Sequence, residues 1–340
     1  MLRLLSPVRL AAAGAVLLVV FLLVVLTRQS DQFLEVPDPA HSLTGVVQVP
    51  GHTRQKDGGG IYYVDVVVKK ASLLEAQFSF LRPEGSELIP KEAFVPRGLT
   101  YNQQLKLESE TMKVSQRKAS VVALRALGFK VPAREAGVRV VDVETNSNAQ
   151  GVLKAQDLIV AADGQPIHAE TDLFHVLARH QVGDVVRIRI RRGNELHTYN
   201  IKTIADSQNP NRAIIGVIPF EAVVGRLPVH VRFNLRRDVG GPSAGLAFAL
   251  EVLEQAGRDI DHGLKIAATG EIQLNGSVTS IGGVKQKTIG ARQAHVDAFL
   301  VPVDGDNAKV AKRYAHGLTI IPVKTFQQAL QSLATLGRKA

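Results

Sequence analysis

Three spacings of hydrophobic residues alternate along the chain. The first is a solid run: Leu10 to Leu26 reads LAAAGAVLLVVFLLVVL, with no charge in seventeen positions. That length is at the short end of the ~17–25 residues that cross a bilayer. A cleaved leader usually has a shorter core of ~7–15 residues followed by a small-x-small site, whereas TRQSDQF follows here. Arg3 and Arg9 precede the run, and acids first appear at Asp31 and Glu35. The bias of positive charge places the short N-terminus in the cytoplasm and everything after Arg28 outside it. The expectation is a single-pass, uncleaved anchor in the cell membrane.

The second spacing is two. Tyr62 to Val68 (YYVDVVV), Val138 to Val143 and Asp157 to Ala162 read as strands, and Leu43 to Val49 as one strand in an otherwise linker-like 31–60 stretch. Val186, Ile188 and Ile190 alternate with Arg187, Arg189 and Arg191 before a Gly193-Asn194 turn. Such an arginine row is the wet face of a half-buried strand, not a nucleic-acid stripe.

The third spacing is helical. Tyr101 to Leu127 lacks Gly and Pro and ends at Gly128; Thr171 can cap a short helix bearing Leu173, Phe174 and Leu177. From Ala213 onward, helices at Leu246–Gln255, Val284–His295, Ala308–Tyr314 and Phe326–Leu336 alternate with strands at Val229–Phe233, Leu264–Thr269, Phe299–Val303 and Leu318–Val323. The implied layout is an anchor (1–30), a membrane-proximal β/helical region (31–128), a β-rich module (129–205) and an α/β domain (206–340).

Composition narrows the function. With 340 residues, 45% hydrophobic and 21% charged, the chain is globular and multidomain. Aromatics reach only 5%, without tryptophan, which argues against stacking on nucleic-acid bases. Lys and Arg exceed Asp and Glu by 41 to 31, which suits a protein held against an anionic bilayer. Without cysteine there is no thiol nucleophile, thiolate metal site or disulfide, and the ten histidines show no His-Glu-x-x-His pairing. No metal or cofactor is expected.

Gly241-Pro242-Ser243-Ala244-Gly245 fits Gly-x-Ser-x-Gly, but the polar stretch 234–238 separates the serine from the preceding strand, unlike a nucleophile elbow. Asp304 and His316 are in triad order, yet neither sits in a motif. A lysine can activate serine instead if burial keeps its amine neutral. Gly282-Gly283-Val284-Lys285-Gln286-Lys287 offers two, about 200° apart on a helix. Lys287 shares its stripe with Val284, Ala291 and Ala294, whereas Lys285 shares its own with Arg292. Lys287 is the better buried candidate.

Two resemblances bear on these motifs. VVDVETNSNAQGVLKAQDLIVAADGQPI resembles the core of bacterial protease PDZ domains, with Gln156 where glycine is usual. That implies a peptide groove between the strand near Val138 and the helix 172–178. GGPSAGLAFAL followed by ATGEIQLNGSVTSIGGVKQK resembles the proteolytic domain of Lon proteases over roughly 206–338. The resemblance puts the nucleophile on Ser243, the general base on Lys287 and a supporting threonine at Thr269, with Gly241 and Pro242 shaping the loop. Bacterial Lon carries an acid three residues before the serine, where this chain has Gly240; Asp238 is the nearest substitute.

The layout looks like the membrane-anchored, PDZ-containing Lon-like proteases. It implies polypeptide substrates and a homo-oligomeric, hexameric ring. No Gly-x-x-x-x-Gly-Lys-[Ser/Thr] occurs in the 340 residues, so cleavage of already unfolded or flexible chains without ATP is expected. The alternative is a membrane-tethered peptide-binding scaffold with an inactive protease fold.

Overall fold

The computed structural model describes residues 11–17, 19, 28–51, 58–96, 98–207, 209–236 and 239–336. Residues 11–17 are helical and exposed, and most of the remaining apolar run falls outside the described residues. Among the described residues no helix is long and apolar enough to cross a membrane.

Within residues 31–128 some strands pair among themselves and others join the last part of the chain. Gln29–Pro37 (β1) is a nine-residue strand with Phe33 and Leu34 buried. The YYVDVVV segment is split between two sheets: Gly60–Tyr63 (β2) joins one, and Val66–Ser72 (β3) pairs antiparallel with β1, which also carries Glu87–Pro90 (β4). The break falls at Val64-Asp65, where the chain turns Asp65 toward a cleft. Tyr101–Ala126 (α1) begins with a capping box, in which Gln103 N–H donates to Thr100 Oγ1 and Thr100 N–H to Gln103 Oε1. It ends before Gly128, whose φ of +89° terminates the helix.

The next module holds Arg134–Val143 (β5), Leu158–Ala162 (β6), Glu170–Leu177 (α2), Val185–Arg192 (β7) and Glu195–Lys202 (β8). Val186, Ile188 and Ile190 are fully buried while the intervening arginines face water, as their alternation requires. Gln156 has φ of +74°, which is why glycine is favoured at that turn, and Arg139 Nη1 holds its side chain at 2.9 Å. The module does not close at residue 205. Val217–Val224 (β9) adds to its sheet, giving the order β8-β7-β6-β5-β9.

The last part contains Gly245–Gln255 (α3), Lys265–Ala268 (β10), Glu271–Ile272 (β11), Val278–Thr279 (β12), Val284–Gln293 (α4), Ala298–Pro302 (β13), Asn307–Tyr314 (α5), Thr319–Val323 (β14) and Phe326–Ala334 (α6). Its sheet runs β2-β10-β13-β14, all parallel, with the short strand His41–Ser42 antiparallel on β2. The α/β domain is therefore completed by residues from the first third of the chain. Only Arg232–Phe233 of the expected Val229–Phe233 strand is extended, paired with Val47–Gln48.

α3 is buried on every side, between this sheet and α1. Leu43, Ile61, Phe248, Ile266, Leu300 and Leu330 share one core. Truncating such a side chain costs about 3–5 kcal/mol, so the anchorage of α3, and of the loop before it, rests on both ends of the chain.

Candidate active site

Ser243 is half-buried in the loop that feeds α3. Four contacts from other elements hold the backbone of residues 241–243. Ser243 C=O accepts from Gly270 N–H at 2.7 Å and from Thr269 Oγ1 at 3.1 Å. Pro242 C=O accepts from Ser115 Oγ of α1 at 3.0 Å, and Gly241 N–H donates to Glu108 C=O at 3.1 Å. Thr269 is fully buried, and its hydroxyl is spent on the Ser243 carbonyl. Gly241 has φ of +83°, and a Cβ there would come within 2.9 Å of Glu108 Oε2. At Gly240 a Cβ would meet Glu108 Cβ at 2.8 Å, so α1 fills the space an acid at 240 would need. Asp238 lies outside the described residues.

Lys287 sits one turn into α4, whose N-terminus is Gly283. It is 6% exposed. Burial pushes its ammonium down to about 8, while Glu35, Asp65 and Glu108, in that order, pull it back up. Lys285 points away: it lies 3.6 Å from Glu87 and over the Tyr314 ring. Ser243 and Lys287 line one cleft of about 640 Å³, together with Glu35, Asp65, Glu108 and Arg236.

The three carboxylates are themselves displaced. Burial, reinforced by Glu87, raises Glu35 against the pull of Lys287. Burial raises Asp65, with Asp38 adding to it and His41 and Arg236 opposing. Burial raises Glu108, although Gln104 donates to it at 2.8 Å. None of the three was legible as a site residue, because each lies more than 130 positions before Ser243 on elements of ordinary composition.

The Ser-His-Asp alternative is not assembled. His316 lines a different groove, with Glu84, Ile289 and Arg292, and Asp304 accepts from Ser280 N–H. Two groups have metal-like spacing among the described residues: Asp38, His41 and Asp65, and Glu254, Asp259 and Asp261. Protein donors already serve both. His41 Nε2 is 2.8 Å from Asp38, with Arg236 3.7 Å from Asp38 and Asp65, and Glu254 accepts from the N–H groups of Ile260 and Asp261.

The structure thus joins an α/β domain, whose cleft Ser243 and Lys287 line, to a module built on a six-stranded sheet and one helix. The comparisons give each a family. Residues 229–335 match the Lon protease (S16) C-terminal proteolytic domain, and residues 125–203 match the PDZ domain. Lon protease 2 of Bacillus subtilis is 36% identical over 106 residues, covering 31% of this chain and 18% of that protein. Lon protease of Clostridium beijerinckii is 35% identical over 134 residues, covering 35% and 16%. A Lon protease of Buchnera aphidicola is 26% identical over 236 residues, covering 58% and 30%. The chain thus spans less than a third of the length of these relatives.

Among solved structures, the PDZ domain of an SdrC-like protein from Listeria monocytogenes is 30% identical. It covers 24% of this chain and 86% of that one, with a TM-score of 0.23. A solution structure from Geobacillus thermodenitrificans is 34% identical, covering 24% and 95%, also at 0.23.

Proposed function

We propose that the chain is a membrane-anchored serine endopeptidase that cleaves unfolded or flexible polypeptides outside the cytoplasm without ATP. Ser243 is its nucleophile and Lys287 its general base. The observation that carries this reading is that the buried Lys287 amine lines the same cleft as Ser243, where burial lowers its pKa to about 8. At pH 7 an amine with a pKa of about 8 is neutral in roughly one molecule in ten, against about one in three thousand at the usual 10.5.

In the proposed reaction, neutral Lys287 Nζ takes the proton from Ser243 Oγ as the oxygen bonds to the scissile carbonyl carbon. The tetrahedral intermediate collapses, the C–N bond breaks, and the Lys287 ammonium returns its proton to the leaving amine. Water then attacks the acyl carbon and gives a proton to Lys287; the ester C–O bond breaks, the acid product leaves, and Lys287 returns the proton to Ser243 Oγ. Polypeptide substrates follow from the family of the 229–335 domain. ATP independence is part of the same proposal, and the charge-free 10–26 run with Arg3 and Arg9 before it supports the anchor. A homo-oligomeric ring is part of the same proposal.

The test is cleavage of a fluorogenic unstructured peptide without nucleotide. Ser243→Ala and Lys287→Ala should abolish it, and Lys287→Arg should fail equally because guanidinium stays protonated. Lys285→Ala should retain near-native rates. Full activity of Lys287→Ala would refute the dyad. A reporter enzyme fused after Ala340 and active in the cytoplasm would refute the topology.

A further inference from the structure

The segment that follows β3 carries its apolar side chains outward. Leu73–Gln77 is a five-residue helix and Ser79–Leu81 one turn of 3-10 helix, and neither contains a buried residue. Phe80 is 79% exposed, the highest value of any large apolar side chain among the described residues; Leu17 and Val16, both in the charge-free run, come next. Phe78 and Leu81 are exposed beside it, and the Phe78 and Phe80 rings pack on each other with centroids 5.6 Å apart. Scattered exposed apolar residues are ordinary, whereas three so close together, two of them aromatic, form a patch.

The backbone beneath the patch is fixed. Glu75 N–H donates to Ser72 Oγ at 3.1 Å and Ser72 N–H to Glu75 Oε2 at 2.8 Å, a capping box. Arg82 closes the other end, with Nε donating to the Glu75 carbonyl at 2.6 Å and Nη2 to that of Ala76 at 3.0 Å. The aromatic pair is therefore presented on a preformed turn, and little ordering entropy is lost when a partner covers it.

Position and charge identify that partner. Leu73 N–H donates to Arg28 C=O at 3.0 Å, and Ser72 pairs with Gln29 at the start of β1. Arg28 is two positions past Leu26, the last residue of the charge-free run, and two residues of extended chain cover only about 7 Å. The patch thus lies where the chain leaves the segment read as the anchor. Residues 28–31 and 69–82 together hold four basic side chains and two acidic ones, Asp31 and Glu75, and Glu75 is paired with Lys69. Arg28, Lys69 and Lys70 are exposed. Aromatic and aliphatic side chains rimmed by lysine and arginine settle about 5–10 Å into the headgroup boundary of an anionic bilayer.

We infer that Phe78, Phe80 and Leu81 insert into the surface of the membrane that the chain is anchored in and dock β1 and β3 against it. The inference rests on the anchor reading of the 10–26 run. The other end of β3, Val66 to Val68, lines the cleft of Ser243 and Lys287. The seven-residue strand spans about 20 Å, so the cleft is held within about that distance of the lipid. A polypeptide leaving the bilayer in extended form covers it in about six residues, which brings membrane-attached chains within reach of the serine.

The chain has no tryptophan, so Phe80→Trp installs a single fluorescent reporter where the native ring is mostly in solvent. The full-length variant is reconstituted into vesicles of phosphatidylcholine and phosphatidylglycerol, with or without bromine on the acyl chains near the headgroup. Bromine should quench about half of the emission from position 80, because contact is needed for quenching and the ring sits at that depth. Phe174→Trp, at an exposed position of α2 in the β-rich module, should be quenched little. Equal quenching at the two positions, or none at position 80, would overturn the inference. Blue-shifted emission from position 80 without bromine quenching would place a second copy on the patch and would equally overturn it.

A second arm reads the cleft. Phe78→Ser/Phe80→Ser should slow hydrolysis of a fluorogenic peptide linked to a vesicle phospholipid at least fivefold, while changing that of the free peptide less than twofold. Unchanged rates on both would overturn the role given to the docked sheet. If the wild-type chain cleaves neither peptide, the endopeptidase reading fails, while bromine quenching still decides the docking. Release of the wild-type chain from vesicles by alkaline carbonate would refute the anchor reading, and quenching on the vesicle-bound chain would again decide the docking; a chain that does not float with vesicles at all overturns both.

Discussion

Replacing Glu35 by glutamine removes a negative charge from the wall of the Lys287 cleft and leaves its size unchanged. Of the three carboxylates that favour the ammonium, Glu35 acts most strongly, ahead of Asp65 and Glu108. Without it, Lys287 becomes easier to deprotonate, and the limb of activity that rises with pH moves toward acid. If its pKa falls by about one unit from about 8, the neutral fraction at pH 7 grows from roughly a tenth to a half. A gain of up to about fivefold in kcat/KM at pH 7 follows. It should vanish near pH 9, where the wild-type lysine is already mostly neutral, and a weaker base can offset part of it. The measurement is the kcat/KM profile for a fluorogenic peptide from pH 5.5 to 10. Glu108→Gln should shift the midpoint in the same direction by less. A midpoint that does not move, or moves toward alkali, would refute the view that Glu35 and Lys287 share one electrostatic site.

Lys287→Met should raise thermal stability below pH 8. The folded pKa lies below the unfolded one, so folding holds back a proton that the unfolded chain binds at neutral pH. At about 1.4 kcal/mol per pKa unit this penalty is about 3 kcal/mol below pH 8, and it fades as pH rises toward 10.5; melting curves at pH 7 and 10 check it. Gly241→Ala should lose at least tenfold in kcat with the fold intact by circular dichroism, because its positive φ and the Glu108 carboxylate both resist a Cβ. Glu170 has a raised folded pKa, so its stabilisation is complete below pH 4.5 and is lost as pH rises through about 7. Glu170→Gln keeps an acceptor for Glu221 N–H without the charge, and should raise the melting temperature at pH 8.5 more than at pH 6.

Sequence alone determined the local parts. The 3.6 spacing of α3, the alternation of β7 and the Gly-Gly entry to α4 are short-range patterns whose physics is contained in ten or so residues. The separation of Lys285 from Lys287 is equally local, since helical geometry alone puts them on different faces, and in the structure one is half-buried beside Glu87 and the other buried. The serine, the lysine and the threonine lie within 45 positions of one another, which is why they could be read together.

Tertiary structure decided what encloses them. Polar composition around residues 31–60 suggested a linker, yet Leu43, Val47 and Ile61 are buried in the main core, because β2 completes a parallel sheet with β10. Parallel pairing leaves no local signature: its partners lie about 205 residues apart and share only a hydrophobic run. Glu35, Asp65 and Glu108 join the Lys287 cleft by the same long-range assembly, and α1 presses Glu108 against Gly240, where a side chain has no room. The β-rich module gains β9 from beyond its matched residues 125–203, and the buried Lys118 of α1 fastens that strand through Glu221, a partner 103 positions away.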